Sequence, residues 1–175
     1  MKKFSTIIIY FILTSYSFAE SKIVYLDVQY IIDNSNIGIF YKKKVKSIQA
    51  ENKKQISLKE NEIKEKEIEI NNQKNILKKD EIENKVKKLN ILLKQYQNER
   101  NRQNKQIIEE KKKYTSKILN ILNPLLTNYV KDNKIILVIE KKNILIGVKT
   151  LDITKDVLKI LNDKTSEESL LKNDQ

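Results

Sequence analysis

An α+β fold is predicted, a long antiparallel coiled-coil-like helical hairpin set as an arm on a small β-containing body. Three observations point to it. Residues 39–126 hold one proline and no glycine and are dense in Lys, Glu, Asn and Gln. β-rich segments flank this stretch, KIVYLDV at 22–28 and IILVIE at 135–140. Within the stretch the apolar spacing loses phase near Lys78-Lys79-Asp80, which fits a fold-back of one helix on another.

Composition narrows the chemistry. The 175 residues are 39% hydrophobic and 33% charged, enough for one modest domain with a large solvated extension. With no Cys, His or Trp, there are no disulfides, thiolate nucleophiles, histidine bases or usual zinc sites. Two glycines cannot build a phosphate-cradling loop. No catalytic, cofactor-binding or metal-binding residues are assigned, and an enzyme is not expected. Of the net charge of +12, +11 lies on the extension, where 23 Lys/Arg face 12 Asp/Glu across residues 39–126. Such a surface favours acidic partners: unfolded acidic chains, anionic lipid headgroups or nucleic acid. A plainly solvated helix surface is the bland alternative.

The elements follow in order. Met1-Lys2-Lys3, an apolar run at 7–13 too short to span a bilayer, and Ser17-Phe18-Ala19 read as a secretory signal peptide over 1–19, cleaved after Ala19. A membrane anchor or a buried strand is the alternative. Segment 22–28 reads as a strand covered on both faces, with Ile23, Tyr25 and Asp27 on one side and Val24, Leu26 and Val28 on the other. One short helical turn follows at 29–33, then a loop of Asn34-Ser35-Asn36 and Gly38.

The outgoing helix has a thin seam, Ile56, Ile63, Ile70 and Leu77, with polar companions at Asn52, Lys59, Lys66 and Gln73. The returning helix alternates Ile82, Val86, Leu89, Leu93 and Tyr96, loses all apolar residues over 97–106, and resumes with Ile107, Tyr114, Ile118, Ile121 and Leu125. The turn is placed at Lys78, Lys79, Asp80 and Glu83, with Asp80 and Glu83 as a capping box and the lysines at a helix C-terminus. A single uninterrupted helix is the alternative. Folding back there sets residue i opposite 159 − i, so Ile70 meets Leu89, Ile63 meets Tyr96 and Val45 meets Tyr114. The polar run 97–106 then forms a waist between two apolar clusters.

Pro124 should kink the helix or open a new one capped by Asn123. Then come a strand at 135–140, a turn at 141–143 and a return strand at 144–148, a β-hairpin that would complete a three-stranded sheet. Thr154 is the expected N-cap of a closing helix with Val157, Leu158, Ile160 and Leu161 on its apolar side. Residues 164–175 read as a disordered tail. The body is thus discontinuous, 20–38 with 123–163, and the arm spans 39–122. So small a body is marginal alone, which suggests oligomerisation with strand faces shared between subunits.

The whole order resembles the Skp/OmpH family of periplasmic chaperones, most specifically in the opening KIVYLDVQ and the closing LDITKDVLKIL. The resemblance implies a homotrimer whose body is one small β-barrel built by three chains, here through Ile23, Val24, Tyr25, Leu26, Val28, Ile136, Val138 and Leu145. Three arms would enclose a cavity that holds unfolded outer-membrane proteins without ATP. The tip LKKDEIEN lacks the Gly or Ser common at family tips, and Ala50 is the arm's one alanine, so the family's cavity lining does not carry over. For a holdase, the candidate client contacts are Ile63, Ile70, Leu77, Ile82, Val86, Leu89 and Tyr96. Lys85, Lys87 and Lys88 are candidates for anionic headgroups, against the plainer reading of a solvated face. An envelope coiled-coil adaptor is the alternative function. Nucleic acid is disfavoured by export and by the absence of a base-reading element.

Overall fold

The computed structural model describes residues 22–165. The signal-peptide reading lies outside these residues, as does the tail reading beyond Thr165. The chain runs β1 (Lys22–Leu26), α1 (Val28–Asn34), α2 (Asn36–Gln73), α3 (Lys79–Asp132), β2 (Ile135–Glu140) and α4 (Thr154–Lys164), with short 3-10 turns at Lys141–Asn143 and Lys149–Leu151. Helices α2 and α3, 38 and 54 residues long, form the predicted hairpin. At 1.5 Å per residue they reach about 57 Å and about 81 Å.

The entry to the arm is tightly specified. Asp27 caps α1 by accepting the Tyr30 N–H at 2.8 Å. The fully buried Ser35 separates the helices, and its Oγ accepts the Gly38 N–H at 3.1 Å. Asn162 of α4 accepts the Asn36 N–H at 2.8 Å, satisfying another orphan donor of α2. The helix therefore begins at Asn36, and Gly38 sits in its first turn instead of in a loop. Glycine is required there by space. A Cβ would lie 1.8 Å from the Ile32 carbonyl oxygen and 2.9 Å from Ser35 Oγ.

Strands β1 and β2 pair in parallel, from Lys22 opposite Ile135 to Leu26 opposite Glu140, and form a two-stranded sheet. The expected three-stranded sheet is not formed, because residues 144–148 are not a strand. The other side of β1 is taken by a bridge to Asp152 and by the Ile153 N–H, which donates to the Tyr25 carbonyl at 3.0 Å. The turn at Lys141–Asn143 carries the chain back over Tyr25, so that Gly147 lies against its ring. Lys141 ties the segment down through Asp152 at 3.0 Å. A ring contact and an ion pair thus replace the ladder.

The core joins both ends of the arm. Val24 and Leu26 of β1, Ile31 of α1, Ile37 and Tyr41 of α2, Ile118 and Leu122 of α3, and Val157 and Leu161 of α4 are buried together. Each such aliphatic side chain contributes about 1.5–3 kcal/mol of burial. The Thr154 hydroxyl accepts the Asp27 N–H at 2.9 Å, so it stitches α4 to the end of β1. Thr154 is the first residue of α4 and not its cap: the cap position is Ile153, without a side-chain cap bond, and Asp152 accepts the Thr154 N–H at 3.0 Å.

Helix α3 runs without interruption through Pro124, so no new helix opens at Asn123. Lys164 is still helical, and Thr165 is buried with its hydroxyl donating to the Leu161 carbonyl at 2.7 Å, so these two residues are ordered where a tail from 164 was expected. Lys134, after α3, adopts φ 52°, the left-handed region that costs a side chain about 1–2 kcal/mol.

Two glycine exchanges should therefore move stability in opposite directions. Gly38→Ala is expected to lose at least about 3 kcal/mol through the clash with the Ile32 carbonyl. Lys134→Gly is expected to gain about 1 kcal/mol by relieving the left-handed backbone. Urea unfolding of both variants checks the pair.

Candidate functional site

The arm's seam can be followed from base to tip. At the base, Tyr41 and Tyr114 stack with ring centroids 4.2 Å apart and planes at 13°. Burial pushes both phenols' pKa upward. Further out lies the polar waist. Gln103 is only 5% exposed, and its amide donates to Glu99 at 3.0 Å and to Gln55 at 3.4 Å. Glu99 also accepts from Arg102 Nε at 3.0 Å and Nη2 at 2.6 Å, a bidentate pair along one guanidinium edge, and this partner lowers its carboxyl pKa. Asn52, in the same layer, keeps a buried side-chain donor without a partner among the described residues.

Beyond the waist, the Tyr96 hydroxyl donates to Glu60 at 2.5 Å near the buried Ile63. Nearer the tip, Lys85 of α3 reaches Glu69 of α2 at 2.5 Å, and Lys66 reaches the same carboxylate at 3.0 Å. Hydrogen bonds from Lys85 and then Lys66 draw the Glu69 carboxyl down to about 2. The reversal occupies residues 74–78, and Glu81 accepts the Lys78 N–H at 3.1 Å.

These contacts correct several readings. The turn lies a few residues earlier than Lys78-Lys79-Asp80, and Glu81, rather than Asp80 with Glu83, supplies the returning carboxylate. Lys79 and Asp80 are already inside α3, where Asp80 and Glu81 place negative charge at the helix N-terminus. The pairing shifts accordingly, so Tyr114 meets Tyr41 instead of Val45, one helical turn away. Helix α3 is also rotated relative to the expectation. Its half-buried positions are Ile82, Lys85, Leu89, Leu92 and Tyr96, leaving Val86 and Leu93 outside.

The predicted site residues separate into distinct environments. Ile63 is buried, and Ile70, Leu77, Ile82, Leu89 and Tyr96 are half-buried inside the hairpin. Of the candidate client contacts, Val86 alone is exposed, at 39%. Lys85 is engaged across the seam, whereas Lys87 and Lys88 face outward. In the body, Val24, Tyr25 and Leu26 are buried within the chain and Val28 and Val138 are half-buried. Ile23, Ile136 and Leu145 are exposed, Leu145 at 97% with Ile146 beside it at 90%.

Sequence reasoning missed Leu58, Ile68, Ile76, Ile91 and Ile108, which extend the arm's open apolar surface beyond Val86 and Leu93. Their signal was that they fall outside the seven-residue repeat in an otherwise polar helix. Val86 and Ile91 border a shallow groove of α3 rimmed by Lys87 and Lys94. The arm therefore presents scattered apolar side chains set among lysines. Among the described residues, no helix is long and apolar enough to cross a membrane and no acidic cluster could hold a metal ion.

The seam makes two predictions. Asn52→Leu should raise stability by about 1 kcal/mol, since it removes a buried donor with no acceptor; thermal unfolding checks it. Glu69 has a folded-state pKa below its ordinary 4.5, so the stability it adds is present above 4.5 and is lost as pH falls toward about 2. Amides flanking residues 69 and 85 should then exchange faster at about pH 2 than the general acid effect on the body predicts. A Glu69→Gln variant should remove that difference.

Comparison with known proteins places this architecture. No curated protein matches the chain. A crystal structure from Caulobacter crescentus CB15, described there as an outer membrane chaperone (OmpH-like), shares the fold with a TM-score of 0.75 at 14% identity, covering 84% of this chain and 87% of that one. The family model described as outer membrane protein (OmpH-like) matches residues 22–161, from the first residue of β1 to the buried Leu161 of α4. The chain belongs to the OmpH-like family.

Proposed function

We propose that the protein is an ATP-independent periplasmic holdase, which keeps unfolded outer-membrane proteins from aggregating in a space between the basic arms of a homotrimer. The observation that carries this reading is the arm's outer surface. Leu58, Ile68, Ile76, Val86 and Ile91 stand exposed on a strongly basic hairpin whose own seam is already paired. Isolated apolar side chains among lysines suit weak, adaptable contacts with many unrelated chains, and positive charge collects acidic ones from a distance. Family membership supports the chaperone role, and the secretory character of residues 1–19 supports the periplasm.

The body supports the trimer. Ile136, Leu145, Ile146 and Val148 are exposed apolar residues, and among the described residues one edge of β2 is unpaired. A free edge beside exposed apolar residues is what a shared sheet between subunits would cover. Several arms on one body raise the effective concentration of each weak contact, so capture can be tight without a deep pocket. Release then needs no chemistry, since the client leaves when insertion into the membrane is more favourable. Lys87 and Lys88, with the tip lysines Lys78 and Lys79, are positioned to meet anionic headgroups at the end of the arm.

The test is dilution of a urea-unfolded outer-membrane protein into the purified protein, followed by light scattering. Aggregation should be suppressed, and suppression should weaken as salt rises while the trimer mass stays constant. Replacing Leu58, Ile68 and Ile91 together with Ser should reduce suppression on the order of tenfold with helicity unchanged. A trimer that leaves aggregation untouched would favour an envelope adaptor instead.

A further inference from the structure

The outer half of the arm divides its charge between its two helices. Residues 58–72 of α2 carry five acids and three lysines, a net −2, whereas residues 82–98 of α3 carry one acid and four lysines, a net +3. Part of this opposition is used across the hairpin, by Glu69 with Lys85. The rest faces outward. On α2, Leu58, Asn61, Glu65, Ile68 and Asn72 are spaced by alternating threes and fours and are all exposed, so they line one stripe. On α3, Lys87, Ile91, Lys94 and Asn98 are spaced and exposed in the same way. Both stripes lie on the sides of their helices turned from the seam, where Ile63, Ile70, Leu89 and Tyr96 are covered. Among the described residues, Glu65, Lys87 and Lys94 form no ion pair within the chain.

The two stripes match at equal height. Within the hairpin, Glu69 meets Lys85, Glu60 meets Tyr96 and Tyr41 meets Tyr114, so facing residues have numbers that add to 154–156. Arms that leave one shared body side by side stand at the same height, and the same rule then holds between neighbours. Ile68 of one arm stands level with Lys87 of the next and one turn from its Ile91. Glu65 stands within one turn, about 6 Å, of both Lys87 and Lys94. Leu58 comes level with Asn98. Apolar residues thus approach apolar residues, and an acid falls between two bases.

We propose that, before a client is bound, the outer face of α2 on one copy docks against the outer face of α3 on a second copy, with Ile68 against Ile91 and Glu65 between Lys87 and Lys94. The two faces differ, so the contact is heterologous, and a three-fold body closes it into a ring that uses each face once. The pairing rests on the shared body proposed above. It covers apolar residues offered to clients. Exposed ion pairs with few apolar neighbours hold weakly, so a client can displace it.

The absence of native cysteine makes disulfide trapping a direct test. The mature chain carrying Leu58→Cys with Asn98→Cys is compared with one carrying Leu58→Cys with Gln95→Cys, an exposed site at the same height on the flank of α3. Positions 58 and 98 lie on opposite outer sides of one hairpin, beyond the Cα reach of an intrachain bridge. Light scattering first establishes the mass. Under mild oxidation, on a non-reducing gel, the first pair should bridge separate chains on the order of tenfold faster than the second. Glu65→Lys should return it toward the control rate, and adding Lys87→Glu with Lys94→Glu should restore it. A trimer whose two pairs bridge at equal rates, or whose rate ignores both charge changes, would overturn the pairing and leave the shared body standing. A monomer mass would overturn both.

Discussion

The structure depends on one long-range closure, the parallel pairing of β1 with β2. These strands lie over a hundred residues apart in sequence, and the whole arm is strung between them. Closing a loop of that length costs about 4 kcal/mol beyond the constant term if the intervening chain is flexible. The hairpin reduces the problem by folding the intervening residues back to their starting point. The stitches then accumulate at one spot: Asp27 to Thr154, Asn36 to Asn162, and the Tyr25 carbonyl to Ile153. Body and arm base are therefore one cooperative unit, because neither set of contacts forms without the other.

Outward from that unit the interactions change character. The base is aromatic and aliphatic, with Tyr41 on Tyr114 above the shared core. The middle is a polar layer around Gln103, and the outer arm relies on Ile63 and on ionic contacts such as Lys85 with Glu69. Partly exposed ion pairs add little, so the outer arm is held weakly compared with its base. Weak internal zipping suits the adaptable client surface proposed above for the arm. Much of the arm's apolar content accordingly lies outside the seam, where it remains exposed.

The architecture was legible from residues 39–126, whose lack of glycine and whose dense polar, amphipathic composition leave few alternatives to long helices. Polar residues 97–106 likewise showed the waist. What sequence could not settle was phase. A thin seam offers two nearly equal alternations, through Val86 and Leu93 or through Lys85 and Leu92, and a shift of the turn by a few residues selected the second. The candidate client contacts other than Val86 fall inside the hairpin for the same reason, since the strongest periodic residues are the ones the hairpin uses itself. The segment ILIGV misled differently. Its composition is that of a strand, yet within the chain it covers the Tyr25 ring and leaves Leu145 and Ile146 outside. Composition reports what a segment can pair with and not whether the partner belongs to the same chain.

The central claim is that one closed base anchors a progressively looser arm, and native-state hydrogen exchange with residue resolution tests it most directly. Amides of β1, β2, α4 and the α2–α3 base should exchange together at the slowest, global rate, with a step to faster exchange at the layer around Gln103 and outward to the tip. Uniform protection along the hairpin, or an outer arm as protected as Tyr25 and Ile139, would contradict the account.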